Sequence, residues 1–271
     1  IRKIYIHTMI NAIILTCLSH GSASVQLAEL IKSKKIKIKS VVLSQGNIVN
    51  KRKYYKRKIK KAFKIGLFGV LNGIRMRKWY SVDTKKYYDS KSIIDLCEKH
   101  KITLNSTPSV NCAQTIKYFQ NANADIGLSL GNGYIGSKIF SIPKFGMINI
   151  HHEELPSYQN ALSIIWQLYN NSNKTGYTIH KIDKKIDTGD ILLKEVIPIK
   201  FKQNLKTTVS FNYVRLWEKS SKGLVKLLEN YEYFLEKSYS QGPGKTYTTP
   251  NLREYLIILK NFKNFKKKYI I

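Results

Sequence analysis

Short apolar runs of strand length alternate along this chain with stretches whose apolar residues recur every three or four positions. Ala12 to Thr16 reads as a first strand, followed by the small-residue turn Ser19 to Ser24 and a helical pattern from Val25 to Lys35. Ile36 to Gln45 is a second strand, so the chain opens β-α-β, a unit that implies parallel pairing with a right-handed crossover. Helices are expected over Ser90 to His100 and Val110 to Gln120, and strands over Ile102 to Leu104 and from Asp125 into a glycine-rich loop. Phe145 to Ile150 has the composition of a buried strand. Ile191 to Ile199 is a further strand, and Pro198 places it at a sheet edge. Phe211 to Glu236 reads as one long amphipathic helix, and Lys245 to Tyr269 as a basic tail. The whole is an α/β chain with a Rossmann-like, mostly parallel sheet flanked by helices. Residues 1–200 form its main unit and 201–271 a short, mainly helical extension.

With 271 residues, 43% of them hydrophobic, the chain is long enough to bury a real core. Charge changes the picture more: 47 Lys and Arg against 17 Asp and Glu give a formal net charge of +30. That balance reflects either lysine-rich solvated faces or an anionic partner such as a nucleic acid, a membrane surface or a phosphorylated substrate. The three cysteines, Cys17, Cys97 and Cys112, form no metal-type cluster and read as thiols of a reducing cytoplasm. Arg2 and Lys3 ahead of the apolar run from Met9 resemble an export signal. The run is short and lacks a convincing cleavage site, so the strand reading is preferred, with Met9 a candidate start. No segment reaches the roughly 20 apolar residues of a spanning helix.

The pattern breaks over about 48–82. Twelve basic residues fall between Lys51 and Lys78 with no acid among them, around the apolar centre Ile65 to Ile74, and Tyr54, Tyr55, Phe63, Trp79 and Tyr80 are interleaved. This composition suits an insertion helix with a solvated basic face, a segment lying on an anionic membrane, or a nucleic-acid contact.

Candidate chemistry centres on residues 149–190. Asn149 and His151, two apart at the end of a strand, point to one face. Asp187-Thr188-Gly189-Asp190 lies just before the next apolar run. An amide donor, an imidazole and a carboxylate converging there would make an acid–base site. The Ser19 to Ser24 turn, opening a helix after a strand, makes Gly21 and Ser22 candidates for cradling an anionic acceptor.

Asn149-Ile150-His151, Leu155-Pro156, Thr175-Gly176-Tyr177-Thr178 and Asp187-Thr188-Gly189-Asp190 together resemble the formyltransferase family that uses 10-formyltetrahydrofolate. Its members act on glycinamide ribonucleotide, methionyl-tRNA and sugar nucleotides. The resemblance implies that Asn149, His151 and Asp187 are catalytic, that Gly133, Tyr134, Ile135, Asp183 and Lys185 line the folate pocket, and that His152 and Glu153 join Gly21 and Ser22 on the acceptor side. Four residues depart from the family pattern: Glu153 and Glu154 in the turn after the histidine, Asn160 where glycine is usual, and Lys185 in the folate loop. Residues 201–271 do not read as the barrel domain of methionyl-tRNA formyltransferases. The expected activity is therefore formylation of a primary amine on a small, anionic acceptor, an amino sugar on a nucleotide, by a cytoplasmic enzyme for which a homodimer is one option. The alternatives are a methionyl-tRNA formyltransferase-like activity and a non-catalytic membrane- or nucleic-acid-binding protein on the same fold.

Overall fold

The computed structural model describes residues 9–48 and 50–269; the Arg2 and Lys3 flank lies outside them. The strands are β1 (Ile10–Thr16), β2 (Ile36–Ser44), β3 (Leu104–Thr107), β4 (Ile126–Leu130), β5 (Met147–His151), β6 (Lys174–Lys181) and β7 (Ile191–Pro198). The helices are α1 (Ser22–Lys32), α2 (Lys51–Ser81), α3 (Ile93–Lys99), α4 (Ala113–Ala122), α5 (Ser137–Phe140), α6 (Ile165–Tyr169), α7 (Leu205–Glu229), α8 (Tyr231–Glu236) and α9 (Leu252–Tyr269).

The seven strands form one sheet in the order β3-β2-β1-β4-β5-β6-β7. β1 pairs in parallel with both β2 and β4, which makes their junction the switch point of a doubly wound sheet. From β5 onward the pairing is antiparallel, and β7, with its Pro198, is the edge. β1 and β4 are buried on both faces because helices cover both, hence their near-continuous apolar sequences.

One core cluster joins Ile14, Leu128, Ile148 and Tyr177 to Leu224, Leu227, Tyr231 and Phe234 of α7 and α8. The core thus runs across residue 200, and α7 lies against α1 and the sheet. The helix expected over Phe211 to Glu236 starts earlier, at Leu205, and breaks at Asn230, whose backbone leaves the helical region. The strand expected at Ile102 to Leu104 forms two residues later, where Leu104–Thr107 can pair with β2.

The basic stretch is helix α2, bent at Gly66, where φ of 70° and ψ of 172° interrupt the helical backbone. Its second half buries Gly69, Asn72, Met76 and Trp79. Met76 and Trp79 join Ile165 of α6, Val209 of α7 and Ile258 and Phe262 of α9 in a second cluster. The basic insertion and the C-terminal tail, remote in sequence, therefore form one packed unit. Among the described residues no helix is long and apolar enough to cross a membrane.

Candidate active site

In open α/β sheets the crevice beyond the carboxyl ends of the strands, at the switch point, is where ligands bind. Here that crevice holds two cavities. One, of about 230 Å³, lies beyond β1, β4 and β5 and is lined by Leu18, Ser22, Asn132, His151, His152 and Tyr213 among others. The other, of about 190 Å³, is lined by Gly133, Tyr134, Ile135, His180, Asp183 and Lys185. Asn132, Asn149 and Asp187 line both. Two sites thus meet at the same two amides and one carboxylate.

β5 carries Asn149 and His151, and its antiparallel register sets Asn149 opposite His180 and His151 opposite Thr178 on β6. The Thr178 hydroxyl donates to the Glu153 carbonyl and accepts from the Leu155 N–H, which pins the turn leaving β5. Gly189 lets the Asp187 loop return to β6, since a Cβ there would run into the Lys181 carbonyl. Asp187 itself takes φ of +56°, and its carboxylate accepts from the Asn160 N–H at 3.2 Å. Asn160 sits at φ of +50°, which explains how asparagine replaces the usual glycine: it tolerates the left-handed region better than other side chains.

His151 Nδ1 lies 3.7 Å from Asp187 Oδ2, and its Nε2 lies 2.9 Å from the Tyr158 carbonyl. The Tyr158 carbonyl only accepts, so Nε2 carries the proton there, and Nδ1, which faces Asp187 beyond hydrogen-bond distance, is the ring nitrogen left available. His180 is the residue that sequence reasoning missed. Its Nδ1–H donates to the Lys181 carbonyl at 2.8 Å, leaving Nε2 to accept from the Asn149 amide at 3.3 Å, with Asp187 Oδ1 at 3.8 Å. Burial pushes its pKa down against the pull of Asp187. A neutral His180 therefore orients one N–H of Asn149 and leaves the other to a ligand. The signal was present: continuing the period-two reading of β6 from Thr178 by one step reaches His180.

The acceptor-side candidates divide. Ser22 lines the first cavity, whereas the Gly21 N–H is already committed to Ser90 Oγ. His152 turns toward α7, with Nε2 3.1 Å from Ser220 Oγ; burial and neighbouring His151 lower its pKa to about 3. Glu153 is only 1% exposed and accepts from Gln167 Nε2. It too lines the first cavity, and burial pushes its carboxyl well above the usual range, so what it offers there is a neutral acid. On the other side, Asp183 accepts from the Lys185 N–H and the Thr188 hydroxyl and so shapes the loop that reaches Asp187. Asn132, also missed, donates to the Leu15 carbonyl at 2.6 Å, while its buried Oδ1 has no protein partner.

The segment after α8 braces the site from outside. Gln241 donates to the Gly189 carbonyl, Gln159 N–H donates to the Lys245 carbonyl, and Tyr247 N–H donates to the Gln159 carbonyl. Both loops flanking His151 and Asp187 are tied to one strap. Among the described residues no His, Cys, Asp and Glu cluster suits a metal ion.

The doubly wound sheet thus brings an amide, an imidazole and a carboxylate together between two cavities. The formyl transferase family profile matches residues 25–228, and the chain belongs to that family. It is 35% identical over 105 residues to the methionyl-tRNA formyltransferase of Citrifermentans bemidjiense, a match covering 38% of this chain and 33% of that protein. The match thus spans about a third of that relative's length. Among solved structures, the N-formyltransferase of Helicobacter canadensis, in complex with folinic acid and dTDP-3-aminofucose, superposes with a TM-score of 0.55 at 18% identity, over 91% of this chain and 72% of the other. Glycinamide ribonucleotide transformylase 1 of Symbiobacterium toebii gives 0.54 at 10% identity, over 83% and 89%.

Proposed function

We propose that the protein transfers a formyl group from 10-formyltetrahydrofolate to the primary amine of an amino sugar carried on a nucleotide. The observation that carries this reading is the meeting of two cavities at Asn149 and Asp187, with His151 beside them. One cavity receives the donor and the other the amine.

The donor fits the residues present. The buried, unpartnered Asn132 Oδ1 offers an acceptor, and the loops Gly133 to Ile135 and Asp183 to Lys185 enclose a volume suited to a ring head. An open trough lined by Lys184, Lys185, Gln241 and Gly244 adjoins it, where an anionic glutamate tail would be held. Bound there, the folate supplies the formyl carbon. Acyl transfer to an amine needs a hydrogen-bond donor for the oxygen that gains negative charge and a base for the proton that nitrogen loses. Asn149, oriented by His180, supplies the neutral donor. His151, with Nδ1 left available beside Asp187, is the base placed to take that proton. Asp187 stands beside the ring and orients it.

The test is incubation of the purified protein with 10-formyltetrahydrofolate and a pool of amino-sugar nucleotides, read by mass spectrometry as a formyl adduct on one acceptor. The sequence relatives support a second reading, formylation of methionyl-tRNA. Charged initiator tRNA in the same assay separates the two, and formyl transfer to tRNA alone would replace the first.

A further inference from the structure

The half of α2 that precedes Gly66 leaves the body of the protein: from Lys51 to Lys64 only Tyr54 and Ala62 are even partly covered. Tyr55, Ile59 and Phe63 recur every fourth residue along it, which aligns them on one helix face, and all are exposed, Phe63 to 87%. Beyond the bend, the face opposite the buried Gly69, Asn72 and Met76 carries Leu67, Leu71 and Ile74, and these too are exposed, Leu67 to 76%. Each half thus presents an apolar stripe to solvent. Twelve cations between Lys51 and Lys78 surround the stripes, and among the described residues none of them pairs with a carboxylate. Like charges three and four apart, such as Lys53, Arg57, Lys61 and Lys64, repel along the exposed half. An exposed helix of this composition needs negative charge and an apolar phase together.

We propose that α2 docks this protein onto the surface of an anionic lipid bilayer, with Phe63, Leu67 and Leu71 entering the acyl boundary and the flanking lysines and arginines meeting headgroup phosphates. An apolar stripe flanked by cations is the signature of a helix that lies in the interface, and no described helix is apolar enough to span. A nucleic acid would satisfy the cations but leave six apolar side chains in a polar interface. A second copy of a chain of net charge +30 would add like charge to the same face.

The test is co-sedimentation of the whole chain with vesicles of phosphatidylcholine alone or mixed with phosphatidylglycerol. Binding to the mixed vesicles only, released by added salt, is the expected result. The triple variant Phe63→Ser, Leu67→Ser, Leu71→Ser should partition at least about tenfold more weakly, because the lost side chains carry the apolar contribution. Phe63→Ser alone should weaken binding measurably, and Ile94→Ser, at an exposed position of α3, should leave it unchanged. All these positions are exposed, and unaltered circular dichroism confirms folding. Equal binding by the triple variant, binding to neutral vesicles alone, or no vesicle binding overturns the proposal. No vesicle binding accompanied by tRNA binding would assign the helix to nucleic acid, and by a dimer that the triple variant abolishes, to self-association.

Discussion

His152 and Glu153 are adjacent, both held neutral by burial, and their opposite signs make a sharp prediction about stability and pH. The unfolded chain protonates His152 below about 6.5, whereas the folded ring resists protonation down to about 3. Its contribution therefore falls as pH falls through that window. Glu153 behaves in reverse: the unfolded carboxyl ionises above about 4.5, the folded one stays protonated, and its contribution falls as pH rises. Between pH 4.5 and 6.5 the two tilts oppose each other. Each reaches at most about 1.4 kcal/mol per pH unit, an upper bound because His152 keeps some contact with solvent. At about 2 °C per kcal/mol for a chain of this size, that is about 3 °C per pH unit. His152→Gln should leave the Glu153 tilt, so that its melting temperature falls relative to wild type as pH rises. Glu153→Gln, which keeps the partner on Gln167, should do the opposite. Thermal melts of the three proteins across pH 4.5–6.5 at fixed ionic strength decide it. Parallel curves would refute the placement of both groups as buried and neutral.

Two further outcomes follow from the site. Asn149→Ala should lower turnover about 100- to 1,000-fold, as loss of an oxyanion donor does. His180→Ala should cost about tenfold or less, the worth of one neutral hydrogen bond. The double variant should match Asn149→Ala alone, and additive losses would show that His180 acts by another route. Gly189→Ala should destabilise by about 1–3 kcal/mol through the clash with the Lys181 carbonyl, and an unchanged melting temperature would contradict that packing.

What the sequence disclosed and what it withheld divide along physical lines. Asn149, His151 and Asp187 were legible because a strand period and a motif of fixed spacing place them, and both are local. The parallel sheet followed from β-α-β order and handedness. His180 was missed although it lies on a strand already recognised, because its partner across the ladder is set by register, which a single strand does not announce. Gly21 looked like an anion cradle until Ser90, distant in sequence, took its N–H. Glu153, expected on the acceptor side, is buried beside Gln167, which raises its pKa, and that burial depends on a helix no local pattern links to it. The joining of α2 to α9 and the strap from Gln241 to Tyr247 are tertiary contacts between segments that no local pattern connects.

The most direct measurement is formyl transfer itself, from 10-formyltetrahydrofolate to amino-sugar nucleotides, by wild type and by His151→Ala and Asp187→Ala. Wild type should yield a formylated acceptor, and each variant, folded as judged by its melting curve, should turn over at least about a hundredfold more slowly. Near wild-type rates in either variant would contradict the assignment of the site, as would a wild-type enzyme that binds the folate and formylates no amine offered.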